Sequence, residues 1–513
     1  LGKSLIAIVE KKGTLLGSST MLMNSNRRKF LGGAAAWLAL PASAESGRSL
    51  KTISLFHTTD LHGHILPTVS YEGIGNLGGL ARCATQIRKW RKDCPDHLLF
   101  DIGDVYQGTV EGYQTKGGVM IDSFNKMKYD GWVLGNHEFD WGLDVVEAAV
   151  NRSSMPVVTG NVAVDGKRAG AIEGNAFSKL APWIVREVGG FRIGLIGLVT
   201  PGIPYWSRPE LLKGFGVFDP EESLKQCVDE LRAEKVDAIV VLGHMGYRYK
   251  EDYANPIQSL LKKVRGIDVY IGGHSHQDRP SWYSFGVLCT QANYHGLNCG
   301  RVDLAFDLES RKLVHRNAWT VLMDGRVDLD PLILESTKSV VEAADERRKS
   351  VIGEVKSAIS TYGKKSKFWK LLCESFKVSA AKHGVQADGV FHGTFEAKKV
   401  LPGKKTIEDA WSWIPYENWL VQASVTGEQI REIIAEEQTV RYSDRGLYGL
   451  DEETLENDKR YIILFNSYDS QSGGKKLPKL RDILEEPSSQ TKLIPLTTRE
   501  AVIDYFADMK EIG

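Results

Sequence analysis

Residues 132–140 read Trp132-Val133-Leu134-Gly135-Asn136-His137-Glu138-Phe139-Asp140, and the fold is read outward from this stretch. Three apolar residues form a run short enough for a buried strand, a glycine ends it, and Asn136, His137, Glu138 and Asp140 follow at once. The same grammar recurs on both sides. Thr52–Phe56 leads to Asp60-Leu61-His62, and His97–Phe100 leads to Asp101-Ile102-Gly103-Asp104. Ala238–Leu242 leads to Gly243-His244, and Val269–Ile271 leads to Gly272-Gly273-His274-Ser275-His276. Phe191–Val199 reads as a further strand, 285–308 as mostly β, and Leu80–Arg91 and Pro220–Glu234 have helical spacing. Such alternation predicts a layered α/β domain. In open α/β sheets sites form beyond the strand C-termini, so five loops are expected to converge on one edge.

The residue types at those strand ends suit a two-metal centre. Imidazole nitrogens and carboxylate oxygens are donors for Zn, Fe or Mn. Asp-x-His and His-x-His place two donors on one side of an extended segment. The two oxygens of Asp104 can each reach a cation, and the neighbouring glycines let backbone pass close by. Each element alone is a weak signal; the five in this order, each after a strand, carry the reading. Asp101 is expected to hydrogen-bond to ligands rather than to be one, and His64 to be a loop side chain. His57, His97 and His295 are read as ordinary structural residues.

The order Asp-x-His, Gly-Asp, Gly-Asn-His-Glu, Gly-His, Gly-Gly-His-x-His resembles the calcineurin-like metallophosphoesterases, and Gly-Asn-His-Glu-Phe-Asp narrows the resemblance to their 5′-nucleotidase family. The resemblance implies a four-layer α/β/β/α catalytic domain over 45–328, a linking helix over 329–356 and a smaller α/β substrate-recognition domain over 357–513. It implies that Asp60, His62, Asp104 and His276 hold one divalent ion, and that Asp104, Asn136, His244 and His274 hold the other. It places His137 over the scissile phosphate, with Asp140 orienting it. The reaction implied is attack of a metal-bridging hydroxide on phosphorus.

The second half departs from the family pattern. Helical stretches at Lys367–Lys382 and Glu428–Glu437 and a strand at Tyr461–Phe465 are expected there. The family carries Asn-Gly-Gly-Gly-x-Arg where this chain has Phe391-His392-Gly393-Thr394-Phe395-Glu396-Ala397-Lys398-Lys399. Lys398 offers a charge but not the planar fork of arginine. Pro415-Tyr416-Glu417-Asn418 resembles a family segment, making Asn418 a candidate contact. Trp419 lies near the position of a base-stacking aromatic and reads equally as a domain-core residue. After the late turn Ser472-Gly473-Gly474, Leu477 stands where the resemblance calls for a second ring.

The chain of 513 residues is too long for one ordinary domain, and its formal net charge is zero. Residues 1–44 hold Lys3, Lys11, Lys12, Arg27, Arg28 and Lys29 against Glu10 alone, which leaves a mildly acidic body. That argues against a nucleic-acid polymer as partner. Arg27-Arg28-Lys29, the apolar run to Leu40 and Ala42-Ser43-Ala44 read as a signal peptide resembling the twin-arginine type, with translation starting at Met21 or Met23. The expected location is therefore periplasmic or extracellular, without a stable membrane anchor. The six cysteines contain no CxxC pair; Cys83 and Cys94 are spaced to bridge a short loop, or all six are buried or free thiols. The expected activity is hydrolysis of a small phosphorylated substrate, a 5′-nucleotide first. The same chemistry on a 2′,3′-cyclic nucleotide, a nucleotide sugar or a thiosulfohydrolase-like sulfur ester stays open, as does a non-catalytic binding protein. The intact ligand set argues against the last.

Overall fold

The computed structural model describes residues 49–361, 365–394, 399–441 and 443–513. The leader and Lys398 lie outside the described residues. Two sheets lie face to face in the first part. One orders the strands Leu313–Leu322, Asn298–Asp307, Leu50–Thr58, His97–Asp101, Gly131–Trp132, Val157–Val158 and Leu180–Ala181. The other orders Asp278–Ser284, Val287–Ala292, Val269–Gly272, Ala238–Gly243, Phe191–Leu198 and Trp183–Val188.

The two-residue side-chain period of a strand explains the layering. Ile53, Leu55, Leu98 and Phe100 from the first sheet meet Ile193, Leu195, Val240, Leu242 and Ile271 from the second in one buried cluster. Phe56 and Leu99 face the other way, against Leu80, Ala84 and Ile87 of the helix Leu80–Asp93 and Phe124 of the helix Gly118–Met127. Ile196, Leu198 and Val241 turn out against Leu224 and Val228 of the helix Pro220–Ala233. The result is the four-layer α/β/β/α arrangement.

Three local readings need correction. The strand at 132–134 is paired only over Gly131–Trp132. The ladder ends as the Val133 N–H donates to Asp101 O, and the chain then turns so that Gly135 comes against Asp104, where an added Cβ would collide with Asp104 Oδ1. The linking helix ends earlier than expected: it runs Pro331–Lys349, with the Asp330 carboxylate accepting from the N–H groups of Leu332 and Ile333. Residues Val351–Val355 are a strand instead, paired with Gly403–Thr406 and Glu511–Ile512. The β-branched pair Val351-Ile352 and the close approach of Gly353 to the Phe506 carbonyl favour that conformation. Cys83 and Cys94 lie at opposite ends of one helix, eleven residues or about 16 Å apart, beyond the reach of a disulfide.

Beyond residue 356 a five-stranded sheet orders Gly446–Tyr448, Gly389–His392, Arg460–Asn466, Trp419–Thr426 and Lys492–Thr497. The helices Lys367–Lys382 and Thr498–Met509 pack on one face, and the helices Gly427–Thr439 and Pro478–Glu485 lie on the other, against Val421, Val425, Ile463 and Phe465. No helix among the described residues is long and apolar enough to cross a membrane.

Candidate metal centre

The five strand-end loops meet at one edge of the sandwich. One donor atom each from Asp60, His62, Asp104 and His276 lie within 4.8 Å of one another, and so do those of Asp104, His244 and His274. Asp104 belongs to both groups. Its Oδ2 stands 3.0 Å from His244 Nε2 and 3.8 Å from His62 Nε2, while His62 Nε2 stands 3.0 Å from His276 Nε2. Asn136 Oδ1 is buried without a hydrogen-bond partner. A buried amide oxygen is rarely left unpaired, and a cation beside it would satisfy it. The donor set is therefore chemically suited to two divalent ions.

Backbone hydrogen bonds fix the imidazoles. Carbonyl oxygens only accept, so His62 Nδ1 carries a proton toward Gln107 O at 2.8 Å and His244 Nδ1 one toward Ile102 O at 2.7 Å. Both leave Nε2 turned toward Asp104, the usual outer support of a ligating histidine; His62 offers its lone pair there, and His244 would offer one on giving up its Nε2 proton to a cation. Burial pushes the imidazoles of His62 and His274 down to about 3, so both are neutral. His244 differs: burial opposes its protonation, but Asp104 outweighs it and lifts the ring to about 9.

The backbone is also arranged for this site. Asp60, His62, Asp104, His274 and His276 all have positive φ, between 48° and 68°. A left-handed non-glycine residue costs about 1 kcal/mol or more. Five of them among seven candidate donors show local strain held by the surroundings. Part of that hold is the Asp60 carboxylate, which accepts the His274 N–H at 2.9 Å, while Asp60 N–H donates to Gly103 O.

His137 Nδ1 lies 2.7 Å from Asp140 Oδ2, and the His137 N–H donates to Asp104 Oδ1 at 2.8 Å. Burial opposes the imidazolium, but Asp140 and then Asp104 outweigh it and raise His137 to about 10. Asp101 accepts from Thr58 Oγ1 and Gly103 N–H, and His64 stacks on His295 at 3.7 Å, so neither reaches the donor groups.

One important group has no role in the sequence reading although it stands inside the quoted motif. The buried Glu138 carboxylate accepts the N–H groups of Asp104 at 2.9 Å, Val105 at 2.8 Å and Gly135 at 2.5 Å. It ties the Asp104 loop to the Asn136 loop. The sequence signal was a carboxylate inside the motif with no lysine or arginine within eight residues to pair it.

The second domain reaches this edge directly. Trp419 is half-buried, and its Nε1–H donates to the Asp140 carbonyl at 2.7 Å. Asn418 is buried, its carbonyl accepting from Thr498 N–H. Leu477 is fully buried in its own domain core, whereas Lys475 Nζ lies over the rings of Tyr205 at 4.0 Å and Tyr253 at 4.3 Å. Trp206 stacks on His274 at 5.3 Å. Tyr416 and Tyr71 are exposed, and the pKa of the Tyr71 phenol is raised by its surroundings and then by Tyr416. Trp419→Phe keeps an aromatic ring and removes only the bond to Asp140. It is expected to lower kcat about tenfold with little change in KM, the value of one hydrogen bond of about 1.5 kcal/mol. Steady-state kinetics on a good ester substrate would check it.

Residues 53–278 match the calcineurin-like phosphoesterase family. The snake venom 5′-nucleotidase of Crotalus adamanteus is 34% identical over 247 residues, covering 47% of this chain and 40% of that protein. Human 5′-nucleotidase is 32% identical over 246 residues, with the same shares covered. The chain thus spans about 40% of the length of these curated relatives. Among solved structures, a 5′-nucleotidase precursor from Thermus thermophilus superposes with a TM-score of 0.68 at 24% identity, over 90% of this chain and 97% of that one. A sulfate thiohydrolase from the same organism gives 0.62 at 16% identity, over 90% and 94%. The last two likenesses concern the fold. The family match lies over the very segment that supplies the clustered donors, so residues 53–278 form a calcineurin-like phosphoesterase domain similar in sequence to that of 5′-nucleotidases.

Proposed function

We propose that this chain is an exported phosphoesterase that uses two divalent ions (Zn, Mn or Fe) to hydrolyse a small phosphorylated substrate, a 5′-nucleotide first. The observation that carries the reading is Asp104, one carboxylate shared by two groups of donors. Two ions held there would supply an activated water and a clamp on the phosphoryl oxygens. The site residues assigned are Asp60, His62, Asp104 and His276 for one ion, and Asp104, Asn136, His244 and His274 for the other.

The chain's own groups do the rest. His137, held through Nδ1 by Asp140, presents Nε2–H to the phosphoryl group or to the leaving oxygen. The P–O bond to the alcohol breaks as a hydroxide oxygen, whose water has already released a proton to solvent, bonds to phosphorus; the imidazolium proton goes to the departing alkoxide, and His137 regains a proton from solvent. With the Asp104 charge taken up by cations, Asp140 is the carboxylate that keeps this proton in place. Tyr71 and Trp206 offer aromatic surface beside the donors for the organic part of the substrate. Trp419 would act by holding the His137–Asp140 segment. The leader at 1–44 supports export. A protein that only binds would not need so strained a donor set, which argues against the binding-protein reading.

His137→Ala is expected to lower kcat by about 10²–10⁴-fold, the range of general acid–base assistance, while both ions stay bound. Elemental analysis alongside kinetics checks it, and loss of an ion together with activity would make His137 a ligand instead. The test of the function is hydrolysis of AMP, an aryl phosphate and a bis-aryl phosphodiester by metal-reconstituted protein. AMP turnover establishes the nucleotidase. Aryl ester turnover with AMP untouched keeps the chemistry and moves the substrate to other phosphate esters. No turnover of any ester rejects the phosphoesterase reading and brings forward a sulfur ester.

A further inference from the structure

The candidate ligands differ in what holds them. His62 and His244 give Nδ1–H to buried backbone carbonyls. His276 does not: its Nδ1 lies 3.1 Å from Tyr71 Oη. Tyr71 sits in the segment 66–77, closed at its neck by the paired Thr68 and Leu77. Its N–H donates to Tyr294 Oη at 2.9 Å, and its ring stacks on Tyr294 at 4.1 Å and 15°. The Tyr294 ring in turn stacks on His276 at 5.3 Å. This strap is open to solvent: Tyr71 is 64% exposed, with Val69 and Ile74 exposed beside it. The His276 side chain is 25% exposed, whereas those of His62 and His244 are 6% and 0%.

The geometry points to Tyr71 as a positioning residue for His276: its hydroxyl accepts Nδ1–H, fixes the ring, and so sets how tightly the Asp60–His62–Asp104–His276 site holds its ion. The inference rests on the two-ion reading above. With Nδ1 protonated, Nε2 keeps its lone pair and faces Asp60 Oδ1 at 3.4 Å and His62 Nε2 at 3.0 Å. An imidazole whose second nitrogen is unheld loses its fixed tautomer and plane, and such outer partners are worth about 10–100-fold in metal affinity. At the other site His244 is held by the buried Ile102 carbonyl and His274 stacks on Trp206, and among the described residues Tyr71 makes no hydrogen bond or ring contact with either. The two sites are therefore expected to differ in affinity, and the one supported by Tyr71 exchanges its ion first. A loop open to solvent beside Tyr416 would then control ion occupancy from outside the first layer of ligands.

The experiment is a Co²⁺ titration of metal-free full-length protein, wild type and Tyr71→Phe, read by calorimetry, by the visible absorption of bound Co²⁺ and by elemental analysis. Phenylalanine keeps the stacking on Tyr294, so the melting temperature of the variant should match wild type. Wild type is expected to bind two Co²⁺ ions. Tyr71→Phe is expected to bind the tighter ion unchanged and the weaker one about 10–100-fold less well, with a shifted absorption band for that site alone. Tyr294→Phe, which removes the acceptor for the Tyr71 N–H, should move the same site in the same direction. Unchanged affinity at both sites, or equal loss at both, overturns the assignment of Tyr71. A wild-type protein that binds only one Co²⁺ overturns the two-ion reading itself, and is distinguished by being seen before any variant is made.

Discussion

Asp104→Asn is expected to lower phosphate ester turnover by about a thousandfold or more and to release ions from both donor groups together. The figure corresponds to about 4 kcal/mol, the several kcal/mol that metal ions contribute to a charged transition state. Asp104 is the one side chain the two groups share. Although burial opposes its ionisation, His244 and His137 hold its carboxyl well below the usual range, so the anion is the form present. Asparagine has the same shape and tolerates the positive φ of 55° at this position. The substitution therefore removes charge and one oxygen donor, leaving the backbone in place. The new amide would also set an N–H₂ against Nε2 of His244 or against the His137 N–H, where an acceptor stood. Elemental analysis and kinetics on the same preparation decide the point. Retention of two ions with near-normal turnover would end the shared-carboxylate reading.

Glu138→Ala is expected to cost about 3–5 kcal/mol of stability, the range for leaving several buried charge-assisted donors unpaired. The N–H groups of Asp104, Val105 and Gly135 all end on this carboxylate. Burial, followed by the Asp104 charge, pushes its carboxyl up to about 7, with Val105 N–H, His244 and Gly135 N–H pulling the other way. Three donors converging on two oxygens leave no place for a carboxyl proton, so the bound form is the anion. Glu138→Gln keeps the volume but turns one acceptor into a donor, and should lie between Ala and wild type. Hydrogen exchange at the Val105 and Gly135 amides gives the local readout, and chemical denaturation the global one. Metal affinity should fall as well, because Asp104 and Asn136 lose their common anchor. Protected amides in the alanine variant would show that another group holds these loops.

Much of the first domain was legible from residue order alone. Apart from Val133-Leu134, strands read by hydrophobic runs fell where the ladders are, because a buried strand needs apolar side chains on both faces and few other sequences supply them. That the candidate donors would cluster was legible for a related reason. A strand end is a fixed point of the fold, so a polar residue one to four positions beyond it has little freedom about which edge it faces. The helical stretch read at Lys367–Lys382 is likewise a helix.

The sequence could not show which distant groups would meet. Chain order says nothing of Tyr71 reaching His276, 205 residues away, or of Trp419 reaching the Asp140 carbonyl, 279 residues away. Nor could it separate Trp419 in a substrate clamp from Trp419 in a domain contact, since both need the same amphipathic ring. It left Cys83 and Cys94 as a candidate pair because spacing in the chain does not reveal that a helix holds them apart. The amino-acid order determined the layers and the donor set, both governed by local periodicity and by what each side chain can bind. Tertiary structure alone decided the supports of those donors — Glu138 beneath the loops, carbonyls behind His62 and His244, a tyrosine behind His276. Those contacts depend on how separate segments pack, and packing couples residues without regard to their separation along the chain.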